Sequence, residues 1–234
     1  VSIGYLEGFY YRPRVDKSLL QKYNEGLICT SGCLAGEINQ YAAKDDYENA
    51  KRAALEYAEI FPDRFYLEIQ NHQIPEERAS HSILKRLSTD LNIPLVATND
   101  CHYALKEHWE AHDVLFCLGT DKNRSDPNRV RYEPQQFYIK SADEMFDLFK
   151  DTPQALENTL KIAESCDLEI PMGEYHLPTF PIPGENGSGD GDIFLRSLCI
   201  TGLQDRYGEI TPEIQKRLDF ELDVIKKMGF AGYF

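Results

Sequence analysis

The sequence predicts an α/β fold with parallel strands, and three observations carry that expectation. Ile93, Pro94, Leu95, Val96 and Ala97 form a nearly continuous apolar run without helical spacing, which fits a strand buried on both faces. Strand-like runs alternate along the chain with helical ones, and strand, helix, strand, helix, strand order implies parallel pairing. The 234 residues, 42% hydrophobic with 12 Phe and 14 Tyr, suffice for the core of one large domain or of a domain plus part of another.

Taken in order, Val15, Leu19 and Leu20 share a helical face, and Asn24-Glu25-Gly26 stops that helix. Residues 27–30 (LICT) form a short strand. Ser31-Gly32-Cys33-Leu34-Ala35-Gly36-Glu37 is a small-residue turn into the next helix, with Gly32 and Gly36 pointing to tight backbone geometry. Asp45 or Asp46 caps a helix over residues 47–60, whose inner stripe is Ala50, Ala53, Ala54, Tyr57 and Ala58. Residues 64–70 (RFYLEIQ) alternate as the second strand. Pro75 opens a helix through Leu91 with Ile83, Leu84, Leu87 and Leu91 inward, and this helix delivers the chain to the 93–97 strand.

Residues 106–118 form an amphipathic segment with Trp109, Val114, Leu115 and Leu118 available for packing; His108 and His112, four apart, have the spacing of metal ligands or simply occupy its polar side. The loop 122–131 carries Lys122, Arg124, Arg129 and Arg131, a composition that suits contact with phosphate or plain solvation. Residues 132–140 read as extended, and Ser141-Ala142-Asp143-Glu144 supplies a capping box. Asp151-Thr152-Pro153 starts a helix through Ser165. Four prolines and five glycines in the 23 positions from Ile170 to Asp192 mark a linker. Beyond it, residues 193–207 and 212–228 form two helices, the second with Leu218, Leu222 and Ile225 on one face.

Composition narrows the function classes. A net charge of −14 argues against a nucleic-acid-binding surface over most of the segment, so any contact with DNA is local or made elsewhere. Six scattered cysteines without a CxxC pair fit a reducing compartment and no disulfide framework. No apolar run approaches the roughly 20 residues of a membrane span, and the start lacks a signal-peptide pattern, so a cytoplasmic protein without membrane contact is expected. A chain opening on Val1 and closing on an apolar aromatic stretch reads as part of a longer one.

The chemistry centres on Asp100 and His102. If the extended conformation persists through residue 102, the strand period of two points both to one side, converging a carboxylate and an imidazole. Both are good ligands for zinc, manganese or iron, and strand ends of this kind carry the active sites of βα barrels. The alternative is a turn aspartate followed by a surface histidine. Cys33 lies just past a strand end, where its thiolate is within reach of a metal or is simply a small buried residue. Glu68 and His72, near the end of the second strand, are candidates for supporting such ligands from behind. The alternative is a partly buried strand glutamate and a surface histidine.

The segments SGCLAGE (31–37), FYLEIQ (65–70), VATNDCHY (96–103), FYIKSADEMFDLF (137–149), ENTLKIAESC (157–166) and LDFELDVIKKMGFAGYF (218–234) resemble, in order and spacing, the bacterial replicative DNA polymerase III alpha subunits. The resemblance implies a distorted PHP-type (polymerase and histidinol phosphatase) βα barrel. Residues 1–170 would be its C-terminal portion, 171–192 a linker and 193–234 the helical start of the polymerase palm. Cys33, Asp100 and His102 match three metal-ligand positions of the family, which makes them one set. The remaining ligands come from an earlier His-x-His motif, absent from this sequence. The polymerase aspartates would follow Phe234, and Asp219 and Asp223, helical and four apart, read as surface charges.

The implied parent is a DNA-directed DNA polymerase acting on primer-template DNA and dNTPs with Mg. Its implied partners are the proofreading exonuclease subunit and other replicase subunits. A full ligand set implies 3′ to 5′ exonuclease or phosphoesterase chemistry at the PHP site, and a degraded set implies a scaffold. This segment alone is expected to be inactive and, with a sheet edge exposed, to oligomerise or swap elements. A free-standing PHP phosphatase would instead end soon after the barrel.

Overall fold

The computed structural model describes residues 1–174, 180–182 and 189–234, which fall into two compact units, 1–167 and 168–234. The first unit opens with α1 (Ser2–Leu6) and α2 (Lys17–Lys22), followed by β1 (Cys29–Thr30). Helices α3 (Glu37–Ala42) and α4 (Tyr47–Ile60) lead to β2 (Phe65–Gln70), and α5 (Pro75–Leu91) leads to β3 (Leu95–Thr98). The three strands form one parallel sheet in the order β1-β2-β3, with Cys29 opposite Phe65, Leu67 opposite Leu95 and Gln70 opposite Thr98. The parallel α/β order expected from the sequence is the one observed.

The central strand is buried on both sides. Phe65, Leu67 and Ile69 are almost fully enclosed among Ala50, Ala53 and Ala54 of α4 and Ile83, Leu84 and Leu87 of α5. Each large aliphatic side chain so buried contributes about 1.5–3 kcal/mol, and the alanine stripe lets α4 approach closely. The opposite side of β2 carries Glu68 and Gln70, which are also buried and therefore need polar partners. Local signals set the helix ends: Asp46 accepts from the amide of Asn49 at the start of α4, and Pro75 opens α5, which stops at Asn92 in a left-handed conformation.

Beyond β3, a 3-10 turn (Lys106–His108) precedes α6 (Trp109–Thr120), and α7 (Ala142–Leu148) and α8 (Pro153–Ser165) complete the unit. The predicted capping box closes in full, with Ser141 accepting from the Glu144 amide and Glu144 accepting from the Ser141 amide. Asn158 of α8 donates to the carbonyl of Leu95 at 2.7 Å, fastening α8 to β3.

Two expectations are corrected. The extended conformation ends at Thr98, and Asp100 sits in the left-handed region at φ 41°, so the period of two does not carry through to His102. An aspartate tolerates that conformation at a turn. On α6, the side expected to pack is the exposed one: Leu115 and Leu118 are 65% and 73% accessible, and Trp109 and Val114 are exposed as well. His112, Phe116 and Cys117 face inward instead, because the returning chain packs the Tyr132 ring against His112 and Phe116.

The second unit contains α9 (Gly191–Tyr207) and α10 (Pro212–Met228), capped by Asp190 and Thr211, with Gly229 in the left-handed region ending α10. Leu218, Leu222 and Ile225 are half-buried along one face of α10. Asp219 pairs with Arg196 and Asp223 with Lys227. Of the predicted linker, residues 175–179 and 183–188 lie outside the described residues. No helix among the described residues is long and apolar enough to cross a membrane.

Candidate functional site at the strand ends

The carboxyl ends of β2 and β3 each present an acid and a histidine. At the β2 end, Glu68 accepts from Thr30 Oγ1 at 2.6 Å, from Gln70 Nε2 at 2.9 Å and from the Thr98 hydroxyl. His72 is 1% exposed. Its Nδ1 lies 2.6 Å from Glu77 Oε1, its Nε2 lies 2.8 Å from the Asn99 carbonyl oxygen, and its amide donates to Glu77 Oε2 at 2.7 Å. The ring stacks on Phe137 with centroids 4.1 Å apart. Burial works to raise the Glu77 carboxyl, and the bonds from the His72 side chain and amide outweigh it, leaving the group below its ordinary range. The sequence alternative of a surface histidine at position 72 is thereby overturned.

At the β3 end, His102 Nε2 lies 3.4 Å from Asp100 Oδ1, with the two side chains 29% and 40% exposed. The pair meets across the turn created by the left-handed Asp100 rather than along a strand. The His102 amide donates to the Phe137 carbonyl at 2.7 Å, and its ring rests against Tyr132 at 4.2 Å between centroids. His112 stands 5.7 Å from His102, and burial first, then the charge of His102, pushes its pKa down. A recess of about 450 Å³ opens beside these rings. Two cations of the basic loop that line it are already engaged: Arg129 grips Asp113 with two nitrogens, and Arg124 bridges Asp113 and Glu110. These bonds hold the Asp113 carboxyl below its ordinary range.

Cys33 occupies the turn after β1. Gly32 has a φ of 73°, and a Cβ on Gly36 would fall 2.2 Å from the Ser31 carbonyl oxygen, so the turn demands glycine at both positions. Cys33 is half-buried beside a small cavity of about 10 Å³ that it shares with Glu68, Gln70, Glu77 and His81.

The structure thus brings Asp100 to His102 and Cys33 to Glu68, and does not gather Cys33, Asp100 and His102 into one cluster. Among the described residues, no three His, Cys, Asp or Glu side chains lie close enough to hold a metal ion. The chemistry of the donors suits a divalent transition metal, but their number falls short. Sequence reasoning missed Glu77, and its signal was an acid in the first turn of a helix opened by proline, placed to receive backbone amides preceding that helix.

Two stretches of the chain match known protein families. The PHP domain model matches residues 1–72, and the bacterial DNA polymerase III alpha NTPase domain model matches residues 193–234. Across the whole chain, the DNA polymerase III subunit alpha of Borreliella burgdorferi is 46% identical over 235 residues, and that of Treponema pallidum 44% over 234. The corresponding protein of Campylobacter jejuni is 39% identical over 262 residues, covering 99% of this chain. Along its full length the chain is similar to bacterial DNA polymerase III alpha subunits. It spans 20% of the length of the first two alpha subunits and 22% of the third. The PHP match takes in Cys33, Glu68 and His72 and stops short of Asp100 and His102.

Proposed function

We propose that the chain is a segment of a replicative DNA polymerase III alpha subunit and serves template-directed DNA synthesis as part of that longer enzyme. The observation that carries this is the 46% identity to an alpha subunit along 100% of the chain. The substrates are then primer-template DNA and dNTPs, with Mg at a polymerase centre in another part of the enzyme. The proofreading exonuclease and other replicase subunits are the partners, and the cytoplasm is the compartment. Residues 1–170 are assigned to a distorted PHP-type barrel, 171–192 to a linker and 193–234 to the start of the palm. No nucleotidyl transfer is assigned to this segment, since Asp219 and Asp223 are committed to Arg196 and Lys227. Primer extension by the full-length polypeptide tests the polymerase role, and absence of template-dependent synthesis would overturn it.

Cys33, Asp100 and His102 are the positions assigned to a divalent metal, zinc, manganese or iron. Asp100 and His102, already adjacent, support the assignment more directly than Cys33. Two adjacent donors do not by themselves hold such an ion, so further ligands must come from the rest of the polypeptide, and no hydrolytic step is assigned to these residues alone. A second reading, the PHP region as a non-catalytic scaffold for the exonuclease subunit, is favoured by the lack of a three-donor cluster among the described residues. Metal content of the full-length polypeptide, compared with an Asp100→Ala, His102→Ala variant, separates the two. Stoichiometric metal lost in the variant supports the metal centre, and no metal in either supports the scaffold. A free-standing PHP phosphatase fits poorly with alpha-subunit similarity continuing through residues 193–234.

A further inference from the structure

We propose that His72, clamped by Glu77, is the positioning residue for the turn that presents Asp100 and His102. Two independent connections run from the one ring. Its Nε2 donates to the carbonyl of Asn99, the residue immediately before Asp100, at 2.8 Å. Its face stacks on Phe137, whose carbonyl accepts the amides of His102 at 2.7 Å and Tyr103 at 3.3 Å. The ring therefore holds the turn at its entry through a hydrogen bond and at its exit through Phe137.

Glu77 fixes the ring in turn. Its two carboxylate oxygens take the His72 amide and the His72 Nδ1, which sets both the backbone and the rotation of the imidazole. Each ring nitrogen faces an oxygen within hydrogen-bond distance, so both edges of the imidazole are held. Such a buried, doubly anchored group has little freedom to drift. The left-handed Asp100 needs that constraint, because a non-glycine residue at φ 41° persists only where its surroundings hold it.

The positioning role rests on the assignment of Asp100 and His102 as ligands, and its test must survive the loss of that assignment. A single His72→Ala change would leave the Glu77 carboxylate buried without its imidazole partner, a destabilisation that would obscure any local effect on the turn. The informative variant is His72→Leu with Glu77→Leu, which removes the ring stack on Phe137, the bond to Asn99 and both buried polar groups together. Hydrogen exchange in this variant should show the amides of His102 and Tyr103 losing protection on the order of tenfold, while the amides of α4 and the remainder of α5 keep theirs. Unchanged protection at residues 102 and 103 in the folded variant would overturn the proposal.

Cobalt titration of the full-length polypeptide adds a readout that a purely structural role would not move. The variant should bind Co²⁺ about 10–100-fold more weakly, as loss of a residue that orients metal ligands does, with Asn99, Asp100 and His102 all intact. Equal affinity in variant and parent would count against positioning. Absence of Co²⁺ binding in the parent would remove the metal assignment instead, and the exchange comparison would still decide the role of His72.

Discussion

The ends of β2 and β3 hold the same residue types under opposite conditions. Glu68 and His72 are buried, and their side-chain polar atoms are already met by Thr30, Gln70, Thr98, Glu77 or Asn99. Asp100 and His102 are partly exposed, and the polar contact their side chains make among the described residues is with each other, at 3.4 Å. An acid or histidine whose polar atoms are all met stabilises structure, whereas one with free polar atoms has coordination capacity left for an ion. Residue type did not separate the two; burial and the hydrogen-bond partners do.

The largest effect that would sharpen this contrast is Glu77→Ala, which strips the anion from a buried pair and should destabilise the first unit by about 3–5 kcal/mol. Urea unfolding measures it, and a loss under about 1 kcal/mol, the range of an exposed ion pair, would break the comparison. Next comes Glu68→Ala, which takes the acceptor away from the hydroxyls of Thr30 and Thr98 and from the buried Gln70 amide and should lower stability by about 1–3 kcal/mol by the same measurement. Asp113 gives a smaller and pH-dependent effect on the β3 side. Its folded pKa is depressed, so it binds fewer protons folded than unfolded. Its stabilising contribution is present above the ordinary aspartate pKa and is lost as pH falls through the depressed value. Carboxyl NMR should show Asp113 titrating below the usual range, with the Arg124 and Arg129 side-chain signals moving alongside; an ordinary titration would contradict the clamp. Smallest of all, Asp100→Asn, which keeps a residue tolerant of the left-handed turn, and His102→Ala should each shift stability by no more than about 0.5 kcal/mol, as expected of partly exposed groups.

Much of the framework was legible because it depends on local chemistry. Pro75 and Pro212 open helices whose bounds, Pro75–Leu91 and Pro212–Met228, match the periodic patterns, and the Ser141 and Glu144 pair forms the box its spacing announces. Gly32 and Gly36 likewise occupy a turn that requires them. What stayed hidden depends on distant partners. Nothing near Leu115 or Leu118 in sequence reveals that α6 turns His112 and Phe116 toward Tyr132, which lies beyond the whole basic loop. The left-handed Asp100 is equally non-local, fixed by His72 on another strand end and by the Asn99 amide group, which donates to the Tyr138 carbonyl at 2.6 Å. The sequence therefore identified Asp100 and His102 as a pair for the wrong geometric reason, since they meet across a turn and not along a strand.

Asp100 with His102, rather than the buried Glu68 and His72, is the set left open to a metal ion. Paramagnetic Mn²⁺ added in small amounts to the chain, with the histidine ring signals followed by NMR, tests this directly because broadening reveals even weak contact. The His102 signal should broaden first and Asp100→Ala should abolish the effect, while the His72 signal stays sharp. Broadening of His72 ahead of His102, or no selective broadening at His102, would contradict it.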